Sequence, residues 1–150
     1  MHFDRAGEGP LVNNVATGSG WGPYMPYKSS LTGETASALA ASYEAQTGKQ
    51  WVQSIGSSYS LFEVAHQAFT AVTDPHDRKA VAGAIHQVNY SGMCGTLNFA
   101  GGPAPGVAII NPVGVQWKKG TGKHPYELKV VDNSLNKAVK IQDSLQPTNP

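Results

Sequence analysis

The residues of this sequence that could carry chemistry are few, and their spacing argues against catalysis. Glu63 and His66 form an E-x-x-H pair, which binds metal in di-iron helical bundles. Such sites need further carboxylates on neighbouring helices, and no other predicted helix has a matching motif. The other histidines do not lie at metal-ligand spacing. The sequence therefore predicts no metal site at any of its histidines: His2, His66, His76, His86 and His124.

Two short motifs resemble catalytic signatures but lack essential residues. A phosphate-binding loop ending at Gly122-Lys123 needs Gly where Trp117 stands and Ser or Thr where His124 stands. The segment from Thr17 to Gly20 lacks the first Gly of a nucleophile elbow. Cys94 lies in an apolar run, where a buried thiol is expected. We expect no enzyme and no metal, nucleotide or covalent cofactor. A hydrolase that uses His66 or His86 is the weaker alternative.

Side chains suited to ligand binding lie in two segments, GSGWGPYMPY and the turn GSSY. Trp21 and Tyr24 stand beside Gly and Pro outside the predicted helices, where aromatic rings can form a ligand wall. Ser57 and Ser58 precede a predicted helix, whose free N–H groups favour a carboxylate. The alternative is that the two aromatic rings only pack within a loop and that Ser58 or Ser60 only caps the helix.

Three amphipathic helices are predicted to position these side chains, at about 33–47, 59–72 and 75–88. Thr32 is the expected N-cap of the first and Gly48 its C′ residue. Ser60 and Glu63 fit a capping box at the start of the second. Asp74-Pro75 opens the third. The 3.6-residue periodicity and the strand alternation predict a buried set: Leu39, Tyr43, Leu61, Val64, Ala68, Val81, Ile85 and Trp117.

After the third helix the apolar period changes from 3.6 to 2. Thr96–Phe99 is predicted to be a short strand, and the alternation around the loop KKGTGKHP predicts a β-hairpin at about 113–131. Leu11–Val15 is a possible further strand. The tail, 134–150, has scattered apolar residues and is expected to be only partly ordered.

Length and charge exclude several classes of protein. The 150 residues suit one domain, and a net charge of +1 with no basic stripe argues against nucleic-acid binding. No run of about 18 apolar residues could span a membrane. The first ten residues, MHFDRAGEGP, lack the apolar segment of a signal peptide.

The consecutive segments of about 20–133 resemble the C-terminal part of an ABC-transporter solute-binding protein of the branched-chain amino-acid receptor group. The similarity is carried by SSLTGETASALAASYEAQTGKQW, SSYSLFEVAHQAF, DPHDRKAVAGAI, GTLNFAGGPAPGVAIINPVGVQWKKG and YELKVVDN. The resemblance implies an α/β protein with an incomplete lobe of the type I periplasmic-binding fold. In this fold Leu97, Phe99 and Trp117 would bury against the lobe.

The resemblance divides the chain into a crossover and loop segment at 1–26, a partial ligand-binding lobe at 27–133 and the tail at 134–150. It implies a periplasmic or other extracytoplasmic receptor that captures an amino acid or similar small carboxylate and delivers it to an ABC permease without catalysis. The cleft residues it implies are Trp21, Tyr24, Ser57, Ser58 and Tyr59.

Receptors of this group are more than twice as long as this chain, so we expect a fragment whose helix faces lack the parallel sheet that would cover them. A homodimer or a swapped assembly would cover faces such as Leu61–Val64–Ala68. The competing expectation is a small stand-alone α+β interaction module that homo-oligomerises.

Overall fold

The computed structural model describes residues 12–148, and this part of the chain is mixed α/β. Three helices precede most of the strands: α1 at Ala36–Thr47, α2 at Ser54–Thr70 and α3 at Arg78–Gln87. The strands are β1 at Ala16–Ser19, β2 at Asn89–Gly92, β3 at Gly95–Asn98, β4 at Val113–Lys119 and β5 at Tyr126–Asp132. None of the helices described in 12–148 is long and apolar enough to cross a bilayer.

Helix α1 ends as predicted but begins three residues later than expected. The hydroxyl of Thr35 accepts the N–H of Ala38 and caps the helix, so the prediction of Thr32 as N-cap is wrong. Thr32 instead accepts the N–H of Glu34 within the preceding turn. Gly48 follows the last turn with a φ of 67°, a left-handed conformation that glycine adopts without steric cost.

Helix α2 begins at Ser54, five residues before the predicted start, and ends at Thr70. The capping box is therefore wrong: Ser60 and Glu63 both lie inside the helix, and the hydroxyl of Ser60 donates to Glu63 Oε2 at 3.2 Å. Gln53 occupies the N-cap position without a side-chain hydrogen bond to the first turn.

Helix α3 also begins later than predicted. Asp77 caps it by accepting the N–H groups of Lys79 and Ala80 at 2.9 and 3.0 Å. Asp74, the expected cap, accepts the N–H of His76 in an isolated turn. None of the residues of α3 is fully buried, so this helix covers the domain surface rather than entering its core.

The strands form two small antiparallel sheets among the described residues. β4 pairs with β1 on one side and with β5 on the other, which confirms the hairpin predicted at 113–131. β2 and β3 form a separate hairpin, and β3 lies within one residue of the predicted strand at 96–99. The strand expected at 11–15 is found at Ala16–Ser19 instead. Leu11 lies outside the described residues.

The main core lies between the three-stranded sheet and α1. Val115 and Val130 pair across β4 and β5 and are fully buried, together with Met93, Ala36 and Trp21. Ala68 is buried as predicted. Leu61 is 71% exposed, so its predicted burial is wrong. The other predicted core residues are half-buried: Leu39, Tyr43, Val64, Val81, Ile85 and Trp117.

The segment 134–148 packs against the sheet, so the expectation of partial order is wrong for this part of the tail. Val139 is 1% exposed and belongs to the main core. The N–H of Gln142 donates to the carbonyl of Val130 at 2.8 Å, along the outer edge of β5. Gln116 on β4 donates to the carbonyl of Gln146 and accepts its N–H. Residues 149–150 lie outside the described part of the chain.

Candidate functional site

Trp21 and Tyr24 belong to an aromatic cluster with Trp51, in the loop between α1 and α2. The ring of Trp51 meets both others edge to face, with centroid distances of 6.0 Å to Trp21 and 5.9 Å to Tyr24. The indole of Trp21 also lies directly on Gly56, in the first turn of α2. The structure thus joins the loop after β1 to the beginning of α2.

The hydroxyl of Tyr24 shares a hydrogen bond with Oγ of Ser19, which donates to the carbonyl of Trp21 at 2.9 Å. Burial raises the pKa of Tyr24 to about 12, and the hydrogen bond with Ser19 only partly offsets this. The phenol is therefore neutral at physiological pH and can act as a hydrogen-bond donor or acceptor.

Trp21 is 1% exposed, and its Nε1–H has no hydrogen-bond acceptor among the described residues. A buried N–H group without a partner costs about 1–3 kcal/mol, so most such groups in folded proteins are bonded. This donor lies beside the first turn of α2, since the five-membered ring of the indole contacts Gly56. A ligand that brought a hydrogen-bond acceptor next to this Nε1–H would supply its missing partner.

The three other predicted site residues lie on α2 rather than before it. Ser57 and Ser58 are exposed, and Tyr59 is half-buried. The hydroxyl of Tyr59 donates to Ser29 Oγ at 2.9 Å and lies 3.2 Å from Thr32 Oγ1. Because α2 begins at Ser54, the N–H groups not bonded within the helix lie one turn earlier than predicted. The structure therefore brings Trp21 and Tyr24 to the start of α2 but leaves the two serine hydroxyls on its surface.

The buried carboxylate of Glu63, which was predicted to belong to a capping box, joins three parts of the fold. Oε1 of Glu63 accepts the N–H and the hydroxyl of Ser30 at 2.7 and 2.9 Å. Oε2 accepts the N–H of Met93 at 2.9 Å, with Ser60 and Tyr90 at 3.2 and 3.4 Å. Glu63 lies opposite the apolar stripe predicted from Leu61, Val64 and Ala68, so the helical pattern carried no signal for this role. Glu63 connects the loop before α1, helix α2 and the β2–β3 hairpin.

Two groups near Glu63 are held in their protonated forms. Burial, followed by the charge of Glu63, raises the pKa of Tyr90. The pKa of Cys94 is also raised, first by burial and then by the same charge, despite a hydrogen bond with Ser60. A thiol with a raised pKa is a poor nucleophile, because the thiolate is the reactive form. The hydrogen bonds of this cluster hold three segments of the fold together.

A second carboxylate, Glu44, fixes the loop of the β4–β5 hairpin to α1. Its Oε1 lies 2.8 Å from Nε2 of His124 and accepts the N–H of Trp51, while Oε2 lies 3.3 Å from Nζ of Lys123. Burial alone would raise the pKa of Glu44. The hydrogen bonds from Trp51, His124 and Lys123 outweigh it and lower the pKa below its usual value of 4.5.

The E-x-x-H pair does not converge on a common point. Glu63 is fully buried and bonded to Met93, whereas His66 is exposed on the same helix. Within residues 12–148, no group of three or more His, Cys, Asp or Glu side chains could hold a metal ion. His2 lies outside the described residues.

An open depression of about 460 Å³ lies apart from the aromatic cluster, where the tail crosses β1 and β4. Gln116 is one of its lining residues, and its Nε2 donates to the carbonyls of Asn14 and Gln146 at 2.7 and 2.6 Å. None of the five predicted site residues lines it. The lining residues are Asn14, Ala16, Gln116, Leu145, Gln146, Pro147 and Thr148.

No protein-family model matches the chain, and no curated protein is significantly similar to it.

Proposed function

We propose that this chain forms one wall of the ligand site of a solute-binding receptor that serves an ABC importer. The proposed solute is an amino acid or a similar small carboxylate, and the proposed location is periplasmic or otherwise extracytoplasmic. The proposal rests on the resemblance to branched-chain amino-acid receptors of the type I periplasmic-binding fold. It is supported by the contact of Trp21 with Gly56, which joins the two segments that the resemblance assigns to the cleft.

The observation that carries the proposal is the buried indole N–H of Trp21, which has no acceptor among the described residues. The adjacent first turn of α2 adds backbone N–H groups and the positive end of a helix dipole. A solute carboxylate would supply oxygen acceptors for both. Because Trp21 is fully buried, the solute reaches the indole only when the loop around Trp21 moves outward. Capture then stabilises the rearranged loop through its preference for that conformation.

The proposal is tested by following the backbone amide NMR signals of the full chain during titration with leucine, isoleucine, valine and phenylalanine. One wall of a two-lobe site supplies about half of a micromolar binding energy, so we expect affinity in the millimolar range. The signals of Trp21, Tyr24, Ser57, Ser58 and Tyr59 should shift in a saturable manner.

Trp21→Phe removes the N–H but keeps an aromatic ring, and it should weaken binding about tenfold or more, consistent with the loss of a hydrogen bond to a charged group. Trp51→Phe is the matched control, since it alters the same cluster without removing the unpaired donor. Ser58 lies on the surface, so Ser58→Ala tests the proposed ligand wall without disturbing the core. Signals that stay unchanged up to roughly 50 mM solute would rule out the proposed wall. Micromolar binding by the monomeric chain would contradict the interpretation that half of the site is missing.

A second candidate function is a small α+β module that homo-oligomerises. It is favoured by three large apolar side chains on α2 that are in solvent: Leu61 at 71%, Phe62 at 73% and Phe69 at 50% exposure. The face proposed from the sequence, Leu61–Val64–Ala68, is not the exposed one, because Val64 is half-buried and Ala68 is buried. The solution mass of the chain distinguishes a defined oligomer from a monomer or a heterogeneous aggregate.

A further inference from the structure

The fully buried residues of helix α2 are small or polar, whereas three of its large apolar side chains lie in solvent. The buried positions are Gly56, Ser60, Glu63 and Ala68. Glu63 accounts for this orientation, because its carboxylate accepts hydrogen bonds from Ser30 and from the buried Met93. The opposite side of the helix consequently presents Leu61, Phe62 and Phe69 to solvent.

Together with the half-buried Ala65, these three side chains form one continuous stripe. Leu61, Ala65 and Phe69 recur at intervals of four residues, and Phe62 precedes Phe69 by two helical turns. Ala65, the smallest member, stands at the centre. We call Leu61, Phe62, Ala65 and Phe69 the α2 stripe.

The charge of the helix limits what can cover the α2 stripe. Helix α2 contains no Lys or Arg, and its one carboxylate, Glu63, is buried on the other side. Helices that lie on membranes carry basic residues on their polar face, so a lipid surface is not the partner that this helix fits. An uncharged apolar surface of matching shape is required.

We propose that the α2 stripe binds the α2 stripe of a second copy of this chain, with the two helices antiparallel and crossing at Ala65. Two-fold symmetry about Ala65 places Phe69 of each copy against Leu61 and Phe62 of the other. The small side chain at the crossing lets the two backbones approach closely. The proposal rests on the second candidate function and specifies its interface.

The exposed area predicts a weak dimer. Taking about 200 Å² for a fully exposed aromatic side chain, the three large side chains present roughly 350–400 Å² per copy. With the half-buried and polar residues at the border, the two copies would bury about 1,000 Å² in total, at the lower limit of specific interfaces. We therefore expect a dissociation constant in the micromolar range.

Sedimentation velocity and light scattering on the full chain, from low micromolar to about 0.5 mM, test the proposal. The wild type should shift from monomer to twice the monomer mass. Leu61→Glu and Phe69→Lys should each weaken dimerisation at least tenfold. The double variant should dimerise more strongly than either single variant, because an antiparallel pair places Glu at position 61 beside Lys at position 69 of the partner. Leu135→Glu is the matched control, because Leu135 is 66% exposed but lies outside α2. The mass distribution of this variant should equal that of the wild type.

A wild type that remains monomeric throughout this range overturns the proposal. So does a dimer that both single variants leave intact, or a double variant that is shown to be folded by circular dichroism and dimerises no better than the single variants. If removal of residues 2–10 were needed for dimerisation, the N-terminal segment would be the occupant of the stripe instead. Solute titration by NMR is a separate measurement, so failure of the dimer leaves the receptor proposal unaffected, and the reverse holds as well.

Discussion

The backbone N–H of Met93 donates a 2.9 Å hydrogen bond to Oε2 of Glu63, and both residues are fully buried. This bond fixes the β2–β3 hairpin to the middle of α2. The other oxygen of the same carboxylate binds Ser30 in the loop before α1. Three segments far apart in the sequence therefore depend on one side chain, which makes Glu63 the position whose substitution should affect the whole fold.

We expect Glu63→Gln to lower the free energy of unfolding by about 3–5 kcal/mol. One carboxylate oxygen becomes an NH₂ group, which cannot accept the hydrogen bonds that this oxygen receives. Urea unfolding followed by circular dichroism measures the change. The matched control is Glu127→Gln, which removes only the surface ion pair with Lys129 and should cost no more than about 1 kcal/mol. Equal effects of the two substitutions would show that Glu63 does not hold the three segments together.

Gly56→Ala is expected to destabilise the protein by about 1–3 kcal/mol or more. An added Cβ would lie 2.1 Å from Cγ of Trp21, whose side chain is 1% exposed, so the indole must shift to make room. Gly83→Ala, in α3, is the control because its Cβ would meet nothing within 4 Å. Since alanine favours a helix, that variant should be more stable than the wild type by about 0.5–1 kcal/mol. Thermal unfolding of the two variants should therefore shift in opposite directions.

The lowered pKa of Glu44 predicts a loss of stability in acid. A carboxyl group whose pKa is lower in the folded than in the unfolded state contributes stability above its unfolded pKa of about 4.5. That contribution is lost as pH falls below 4.5 and through the folded pKa. At pH 7 we expect Glu44→Gln to lower the free energy of unfolding by about 1–2 kcal/mol. The difference in unfolding free energy between the variant and the wild type should shrink as the pH falls below 4.5. Urea midpoints of the wild type and the variant, measured across this pH range, test the direction of the change. A stability difference that grows in acid would contradict the prediction.

Val139→Ala should lower the free energy of unfolding by about 2 kcal/mol, because Val139 is buried in the main core. Leu145→Ala, also in the tail, removes a side chain that is largely exposed and should change stability by less than about 0.5 kcal/mol. Urea unfolding compares them. A negligible effect at position 139 would mean that the tail does not pack on the sheet.

The local signals in the sequence determined the features that depend on neighbouring residues. Gly48 ends α1 because glycine adopts the left-handed conformation there, and this could be predicted from the residue alone. Alternation at positions 113–117 and 126–130 predicted the β4–β5 hairpin, since a strand with one buried face must alternate. The existence of three helices followed from their apolar periodicity, although each of them begins at a different residue from the one predicted.

Which side of α2 faces the interior depends on contacts that exist only in the folded chain. Periodicity placed Leu61 in the core, but the five hydrogen bonds to Glu63 turn the helix so that Leu61 is in solvent. Those bonds come from residues 3 to 33 positions away in the sequence, so no local pattern could reveal them. The same applies to the unpaired indole N–H of Trp21, whose burial depends on Gly56 and Trp51. A sequence pattern reports how apolar each face of a helix is, whereas burial is determined by contacts between segments that meet only in the folded chain.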